Sequence, residues 1–133
     1  MEAFERDLVE ADKEIVISSP GLRRSKVECI VSLLQQRQEA GVEVTVITLN
    51  PDVTGYGDTI ELNMLIDEMR RNGINVRTVD DECEHYAVID RGLVWHGGMN
   101  LLGKADAYDN LIRVKNEQAA DELLEMTERI IIS

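Results

Sequence analysis

Aromatic side chains are scarce in this chain. They make up 4% of it, with one tryptophan, one phenylalanine and three tyrosines. A single-strand binding surface that stacks bases on aromatic platforms is therefore not supported. Tyr86 and Trp95 are expected in the core instead. Cysteine is also rare. The two residues, Cys29 and Cys83, are too few for a disulfide scaffold and fit a reducing, cytoplasmic compartment. Cys29 is expected on the buried face of a helix as a core thiol. No run approaches the roughly 20 apolar residues of a membrane span. The acidic, amphipathic start M-E-A-F-E-R-D does not read as a signal peptide, so no membrane partner is expected. Phosphate-binding G-x-x-x-x-G-K-[ST] loops, Rossmann glycine fingerprints and G-x-S-x-G elbows are all missing. The chain thus carries no ATPase motor of its own. Positive charge is short as well. Fourteen Lys and Arg face 26 Asp and Glu, for a net charge of −12. Such a balance repels phosphate backbones and anionic surfaces. A nucleic-acid role would need a local basic patch or a basic neighbouring domain, whereas plain solubility needs neither.

What remains is ample for one packed domain spanning residues 1–133, with 44% hydrophobic residues and no low-complexity run. Residues 3–11 read as a short amphipathic helix with Phe4, Leu8 and Ala11 inward. Glu14 to Ser18 is an apolar strand broken by Ser19-Pro20-Gly21. From Leu22 to Ala40, Val27, Ile30, Val31 and Leu34 follow a helical stripe, and Gly41 stops it. Val42 to Leu49 is a β-branched run that reads as a buried strand. A turn-rich loop (Asn50 to Asp58) leads to a helix with Leu62, Leu65, Ile66 and Met69 inward, ending near Asn72-Gly73. Ile74 to Val79 is the next strand. Tyr86 to Ile89 and Leu93 to Trp95 form a hairpin whose turn is Arg91-Gly92. Asp109 to Val114 is a last strand, and 117–131 a closing helix with Ala120, Leu123, Leu124 and Ile131 on one side. Alternating strands and helices imply right-handed crossovers and parallel strands. The expectation is an α/β fold, with one mixed, mostly parallel β-sheet and helices on both faces.

Two regions could support chemistry. Beyond the first strand, Ser18-Ser19-Pro20-Gly21 is followed by Arg23, Arg24 and Lys26. Small residues, a helix start and three cations make a plausible anion site. A capped helix with solvated basic residues explains the same pattern. The second region is the hairpin. Both histidines, His85 and His96, flank it. Alternation puts His85, Ala87 and Ile89 on one face and Tyr86, Val88 and Asp90 on the other. Cys83 and His85 have a C-x-H spacing that can chelate a metal, yet no second ligand pair is visible and a structural zinc needs four. Neither metal nor cofactor is expected. Glu82 and Glu84 oppose thiolate formation at Cys83. Asp90 suits a turn, Gly97 a strand bend, and Asn100 either a ligand contact or a cap.

The spacing of the hairpin residues resembles the phospholipase D superfamily motif H-x-K-x4-D-x6-G-S-x-N. Here Cys83-x-His85-x4-Asp90-x6-Gly97-Gly98-x-Asn100 keeps every interval. The α/β order over most of the chain is similar to one half of that family's two-lobed fold. In the family the histidine attacks phosphorus, a second motif copy supplies the acid, and the lysine and asparagine hold the phosphate. At the matching positions Cys83 replaces the nucleophile, His85 the lysine and Gly98 the serine. Loss of the lysine removes a permanent positive charge.

The resemblance therefore implies a degenerate member with little or no phosphodiesterase activity. Its phosphate contacts would be His85, Gly98, Asn100, Arg23, Arg24 and Lys26. The stretch Leu93 to Val114 is similar to phospholipase D-like domains appended to bacterial DEAD/DEAH-type helicases and restriction-like proteins. That implies the other domains of a larger helicase-type chain, and DNA, as partners. Two alternatives stand beside this one. The first is an active phosphodiesterase or nuclease whose composite site forms in a homodimer. The second is a protein-interaction domain that never touches phosphate.

Overall fold

A computed structural model of the chain describes residues 2–19, 24–54, 59–80, 86–96 and 112–132. Strand β1 (Glu14–Ser18) lies at the centre, buried on both faces as its unbroken apolar run requires. It pairs in parallel with β2 (Glu43–Leu49), and β2 pairs in parallel with β3 (Asn75–Val79). On its other side β1 pairs antiparallel with β4 (Tyr86–Ile89). The sheet continues antiparallel through β5 (Leu93–His96) and β6 (Ile112–Lys115). The order is β3-β2-β1-β4-β5-β6. The sheet is mixed, as expected. Its parallel part, however, is confined to β1, β2 and β3, since β4, β5 and β6 each pair antiparallel, β4 and β5 through a three-residue turn too short for a parallel crossover.

Helices α1 (Glu2–Val9), α2 (Arg24–Glu39) and α4 (Thr59–Arg71) contribute to one core. In it Leu8, Val27, Ile30, Leu34, Leu65, Ile66 and Met69 meet Ile15, Ile17, Val44, Val46, Ala87, Ile89 and Trp95. Helix α5 (Glu117–Ile132) sets Ala120 and Leu124 against Val16, Ile47, Val79, Tyr86, Val88 and Val94 on the opposite face. The two-residue period of the strands thus divides the core as anticipated, and Tyr86 and Trp95 are both buried.

Some details differ from the sequence reading. Pro51–Thr54 forms a single helical turn, α3, where a loop was expected. Its start is capped by Asn50, whose Oδ1 accepts the Asp52 amide at 3.0 Å. Cys29 is exposed rather than buried. It falls about 200° around the helix from Val27 and so lies off the inward stripe. Leu62 is only half-buried. Strand β6 extends to Lys115. The side chains of Phe4 and Ile131, and residues 55–58, 81–82 and 97–111, lie outside the described residues.

Both helix-to-strand returns use the same stop. Gly41 and Gly73 have φ of 96° and 85°, the left-handed conformation that glycine adopts without penalty. Behind each, paired bonds close the helix. Gly41 N–H reaches Gln38 O at 3.0 Å and Val42 N–H reaches Arg37 O at 3.0 Å. Gly73 N–H reaches Arg70 O at 3.0 Å and Ile74 N–H reaches Met69 O at 3.1 Å. Val42 and Ile74 then bury their side chains. At Gly73 the turn is also a contact, since the Gln38 side-chain amide donates to the Gly73 carbonyl. Gly41→Ala should cost about 1 kcal/mol through its φ alone. Gly73→Ala should cost a similar amount, because its Cβ would lie 2.6 Å from Gln38 Nε2, the tip of a flexible side chain that can swing aside. Urea denaturation midpoints of the two variants test this. A loss at Gly73 several times that at Gly41 would mean that the Gln38 contact cannot be given up.

Candidate functional site

The strands decide which chain segments can share a site. β1 ends at Ser18, whose register partner on β4 is Tyr86. Tyr86 pairs with His96 on β5, and His96 with Ile112 on β6. The chain therefore leaves β1, enters β4, leaves β5 and enters β6 at one end of four adjacent strands. Neighbouring strands lie about 4.8 Å apart, so β1 and β5 end within about 10 Å of each other. The segments holding Arg23, Cys83 with His85, and Gly98 with Asn100 attach at this end. Those residues themselves lie outside the described ones, as does the side chain of Lys26. The same end is also the carboxyl end of β2 and β3, where α/β sheets receive ligands. Buried polar residues gather there: Ser18, Ser19 and Thr48 are each at most 2% exposed. Thr48 escaped the sequence reading, because it sits in an otherwise apolar β-branched run.

Arg24 opens α2. Its Nε donates to Glu61 Oε1 at 3.1 Å, and its guanidinium lies 3.5 Å from Glu28 and 4.0 Å from Glu68. The hydrogen bond to Glu61 raises its pKa, against the opposing effect of desolvation. An anion at Arg24 would have to compete with three carboxylates already in place.

Asp90 lies at the far end of β4, about 13 Å along the strand from Tyr86. Its carboxylate accepts three backbone N–H groups. Oδ1 takes Lys13 at 2.7 Å and Glu14 at 3.1 Å, and Oδ2 takes Asp12 at 3.0 Å. Desolvation opposes its charge, but the three amides together outweigh that and hold its pKa below the ordinary carboxylate value of 3.8. Asp90 and Arg91 both have positive φ, 54° and 57°. The left-handed turn thus falls one residue earlier than Arg91-Gly92. Asp tolerates this conformation better than most residues, since its carboxylate can bond nearby backbone. The role of Asp90 is to fasten the approach to β1 onto the β4–β5 turn.

A second paired acid, this one buried, was not anticipated. Asp7 on α1 is 6% exposed. Its Oδ2 accepts Trp95 Nε1 and Arg113 Nε, each at 2.7 Å, and its Oδ1 accepts Arg113 Nη2 at 3.0 Å. Desolvation would raise its pKa, yet the hydrogen bonds from Arg113 and Trp95 and the nearby positive charge keep it below 3.8. The signal in the sequence was an aspartate three residues after Phe4 and beside Leu8, on the face expected to pack.

A cleft of about 490 Å³ opens over the turn end of the sheet, between Asp7 of α1 with Glu10 just beyond it and Leu93, Arg113, Lys115 and Glu117. It lies away from the strand ends where the motif segments attach, and Asp7, Asp90 and Arg113 in its wall are already paired. No group of three or more His, Cys, Asp or Glu able to hold a metal occurs among the described residues. No helix among them is long and apolar enough to cross a membrane.

The chain resembles known proteins in both sequence and fold. The family model described as cardiolipin synthase, PLD-like domain, matches residues 5–131. No curated protein sequence matches the chain. Among solved structures, the phospholipase D family member Nuc from Salmonella typhimurium superposes with a TM-score of 0.72 at 18% identity. That match covers 97% of this chain and 84% of Nuc. NucT from Helicobacter pylori gives a TM-score of 0.71 at 12% identity, over 99% of this chain and 87% of NucT. TrmBL2, an archaeal chromatin protein described as showing a novel mode of DNA binding, gives 0.64 at 15% identity, over 96% of this chain and 46% of TrmBL2. At these identities the structural likeness concerns the fold.

The Asp90 clamp predicts a stability change with a definite pH sign. Asp90→Ala leaves three amides without their acceptor and should cost about 2 kcal/mol at pH 7. Asp90→Asn, which keeps one oxygen, should cost less. Because the folded pKa is depressed, the stabilisation is complete above the unfolded value near 3.8 and is lost as pH falls through the folded pKa. The gap between wild type and Asp90→Ala in urea denaturation should therefore shrink between pH 7 and pH 3. A gap that stays constant would show that the amides do not favour the charged form.

Proposed function

We infer that this chain, which belongs to the phospholipase D-like family, is a member with a decayed catalytic motif. It serves as a phosphate- or nucleic-acid-binding, or scaffolding, module of a DNA helicase or restriction-type protein. The observation that carries the reading is the fate of Asp90. The aspartate is the only position retained of the motif's histidine, lysine and aspartate, and it is spent on the amides of residues 12–14 at the far end of the sheet. The positions that would perform chemistry, Cys83 and His85, are the altered ones. A framework kept for its structural role with its reactive groups replaced is what loss of catalysis leaves behind. TrmBL2 lends support from another side. There a fold of this kind makes up under half of a protein described as binding DNA, so the unit can serve as a module of a larger chain.

Phosphate contact in this reading falls to Asn100, Gly98, His85, Arg23 and Lys26, with Arg24 available only in competition with its carboxylate partners. With a net charge of −12, DNA binding by the domain alone should be weak and should fall steeply with salt.

A second reading, an active phosphodiesterase completed by a second copy of the chain, draws on length. Nuc and NucT are matched over 84% and 87% of their own chains, so a unit of about this size makes up most of each. One motif copy in such a unit would find its complement across a two-fold axis.

Hydrolysis of bis(p-nitrophenyl) phosphate and of single-stranded DNA separates the readings. The purified chain should give no turnover above that of the Cys83→Ala/His85→Ala double variant. Turnover that disappears in both single variants, together with a dimer in sedimentation, would replace the first reading by the second. Inorganic phosphate should bind the wild type and bind Asn100→Ala at least about tenfold more weakly, the loss expected from one charge-assisted hydrogen bond. Identical behaviour of the two proteins would leave an interaction domain with no phosphate contact.

A further inference from the structure

Two columns of charge line the cleft at the turn end of the sheet. Asp7 and Glu10 form the first. The Glu10 N–H still bonds Arg6 O at 3.0 Å, so the helical path of α1 carries on through it and the two acids share one side. Arg113 and Lys115 form the second, two residues apart on one face of β6. The first rung between the columns is closed, since Asp7 and Arg113 meet at 2.7 Å. The second rung is open. Glu10 and Lys115 both line the cleft. The charge of Lys115 reaches Asp7, and that of Glu10 reaches Arg113. Yet neither Glu10 nor Lys115 has a side-chain partner of its own among the described residues. The floor beside them is apolar. Leu93, the register partner of Lys115, is half-buried, and Gly92 next to it adds no side chain. A Cβ at Gly92 would lie 3.7 Å from Glu117 Cγ, so the stem of Glu117 passes over the turn and bounds the cleft on that side.

We propose that the open rung binds a small zwitterion with an apolar body, an apolar amino acid or its dipeptide. The ammonium pairs with Glu10, the carboxylate pairs with Lys115, and the apolar part rests on Leu93. The charges left over in the wall single out this class. Asp7 is spent on Trp95 and Arg113, and Asp90 on three amides. Glu10, Glu117 and Lys115 remain. A lone anion drawn to Lys115 would face two carboxylates, and a lone cation drawn to Glu10 would face an ammonium. A divalent metal is disfavoured, since no three candidate ligands converge among the described residues. A molecule bearing both charges satisfies both columns at once. The volume of about 490 Å³ falls within the range of small-ligand pockets. The closed rung pins α1 against β6 beside the open one, so the two columns are set before a ligand arrives and little ordering is left to be done on binding. The site is separate from the motif positions and is independent of phosphate binding there.

Backbone amide shifts in the proton–nitrogen NMR spectrum of the full chain test the site, with L-leucine and L-leucyl-L-leucine as probes at neutral pH. The better probe should shift the amides of Leu93, Lys115 and Asn116 and saturate with a Kd of about 1 mM. The tighter of the two identifies the ligand as amino acid or dipeptide. N-acetylation of that probe removes its ammonium, and amidation removes its carboxylate. Each should weaken binding at least about tenfold. Lys115→Ala and Glu10→Gln should each weaken it by about tenfold as well. Arg77→Ala, an equal change of charge on the opposite edge strand, should leave it unchanged. No saturable shift at these amides with either probe up to about 10 mM overturns the site. So does a capped probe that binds as tightly as its parent, because one charge or the apolar floor would then suffice. Unchanged binding in both Lys115→Ala and Glu10→Gln places the ligand elsewhere and overturns it too. Should either variant fail to fold, the capped probes on wild type decide alone.

Discussion

The antiparallel joint between β1 and β4 is the constraint on which the architecture turns. Up to β3 the chain builds a parallel sheet outward from β1 in one direction, one crossover helix at a time. Strand β4 then returns to the vacant side of β1 and runs against it, with Ile15 opposite Ile89 and Ser18 opposite Tyr86. That pairing is cemented at its turn end by Asp90, which takes the amides of residues 12–14, and by the Asp90 N–H donating to Glu14 O at 2.8 Å. A backbone with three consecutive amides converging on one carboxylate has few alternatives. A slip of one residue in β4 would carry Ala87 and Ile89 to the α5 face and Tyr86 and Val88 to the other. The core volumes on both sides would then be wrong together.

Ionised groups and hydroxyls divide the work. Asp90 at the turn end is consumed on backbone amides, and Asp7 on Trp95 and Arg113, the register pair next to the opposite strand ends. At the carboxyl end of β1 and β2, small hydroxyls are buried, those of Ser18, Ser19 and Thr48. The division makes physical sense. A charge satisfied by fixed donors gives rigidity, but it is no longer free to meet a ligand. A site needs polar groups near open space and a rigid frame behind them.

Charge accounts for much of the acidic domain's character. Several of its few cations serve the fold: Arg113 pairs with Asp7, Arg24 with Glu61 and Glu28, and Arg70 reaches the Val76 carbonyl at 3.1 Å. The exposed pairs of Arg24 contribute little stability. They do, however, neutralise positive field at the surface.

Local pattern in the sequence determined the elements. The stripe of Val27, Ile30, Val31 and Leu34, the β-branched run before Leu49, the glycine stops at 41 and 73 and the alternation through Tyr86 to Ile89 are each readable over a few residues. Helix and strand periods are local properties, so the order of elements along the chain could be read from them, while the order of strands in the sheet, β3-β2-β1-β4-β5-β6, came only with the fold. The motif spacing from Cys83 to Asn100 was legible for the same reason, being a count along the chain. Three things depended on residues far apart in sequence meeting in space. Asp90 looked like a motif acid or a turn former, and only the approach of residues 12–14 made it a clamp. Asp7 drew no notice in the sequence, and gained its part only when α1 came to rest beside Trp95 and Arg113. Cys29 looked buried because it neighbours an apolar stripe, but helix rotation turned it outward. A sequence records which groups are present and at what interval. Whether a carboxylate faces water, an amide or a guanidinium is decided only when the whole core has closed around it.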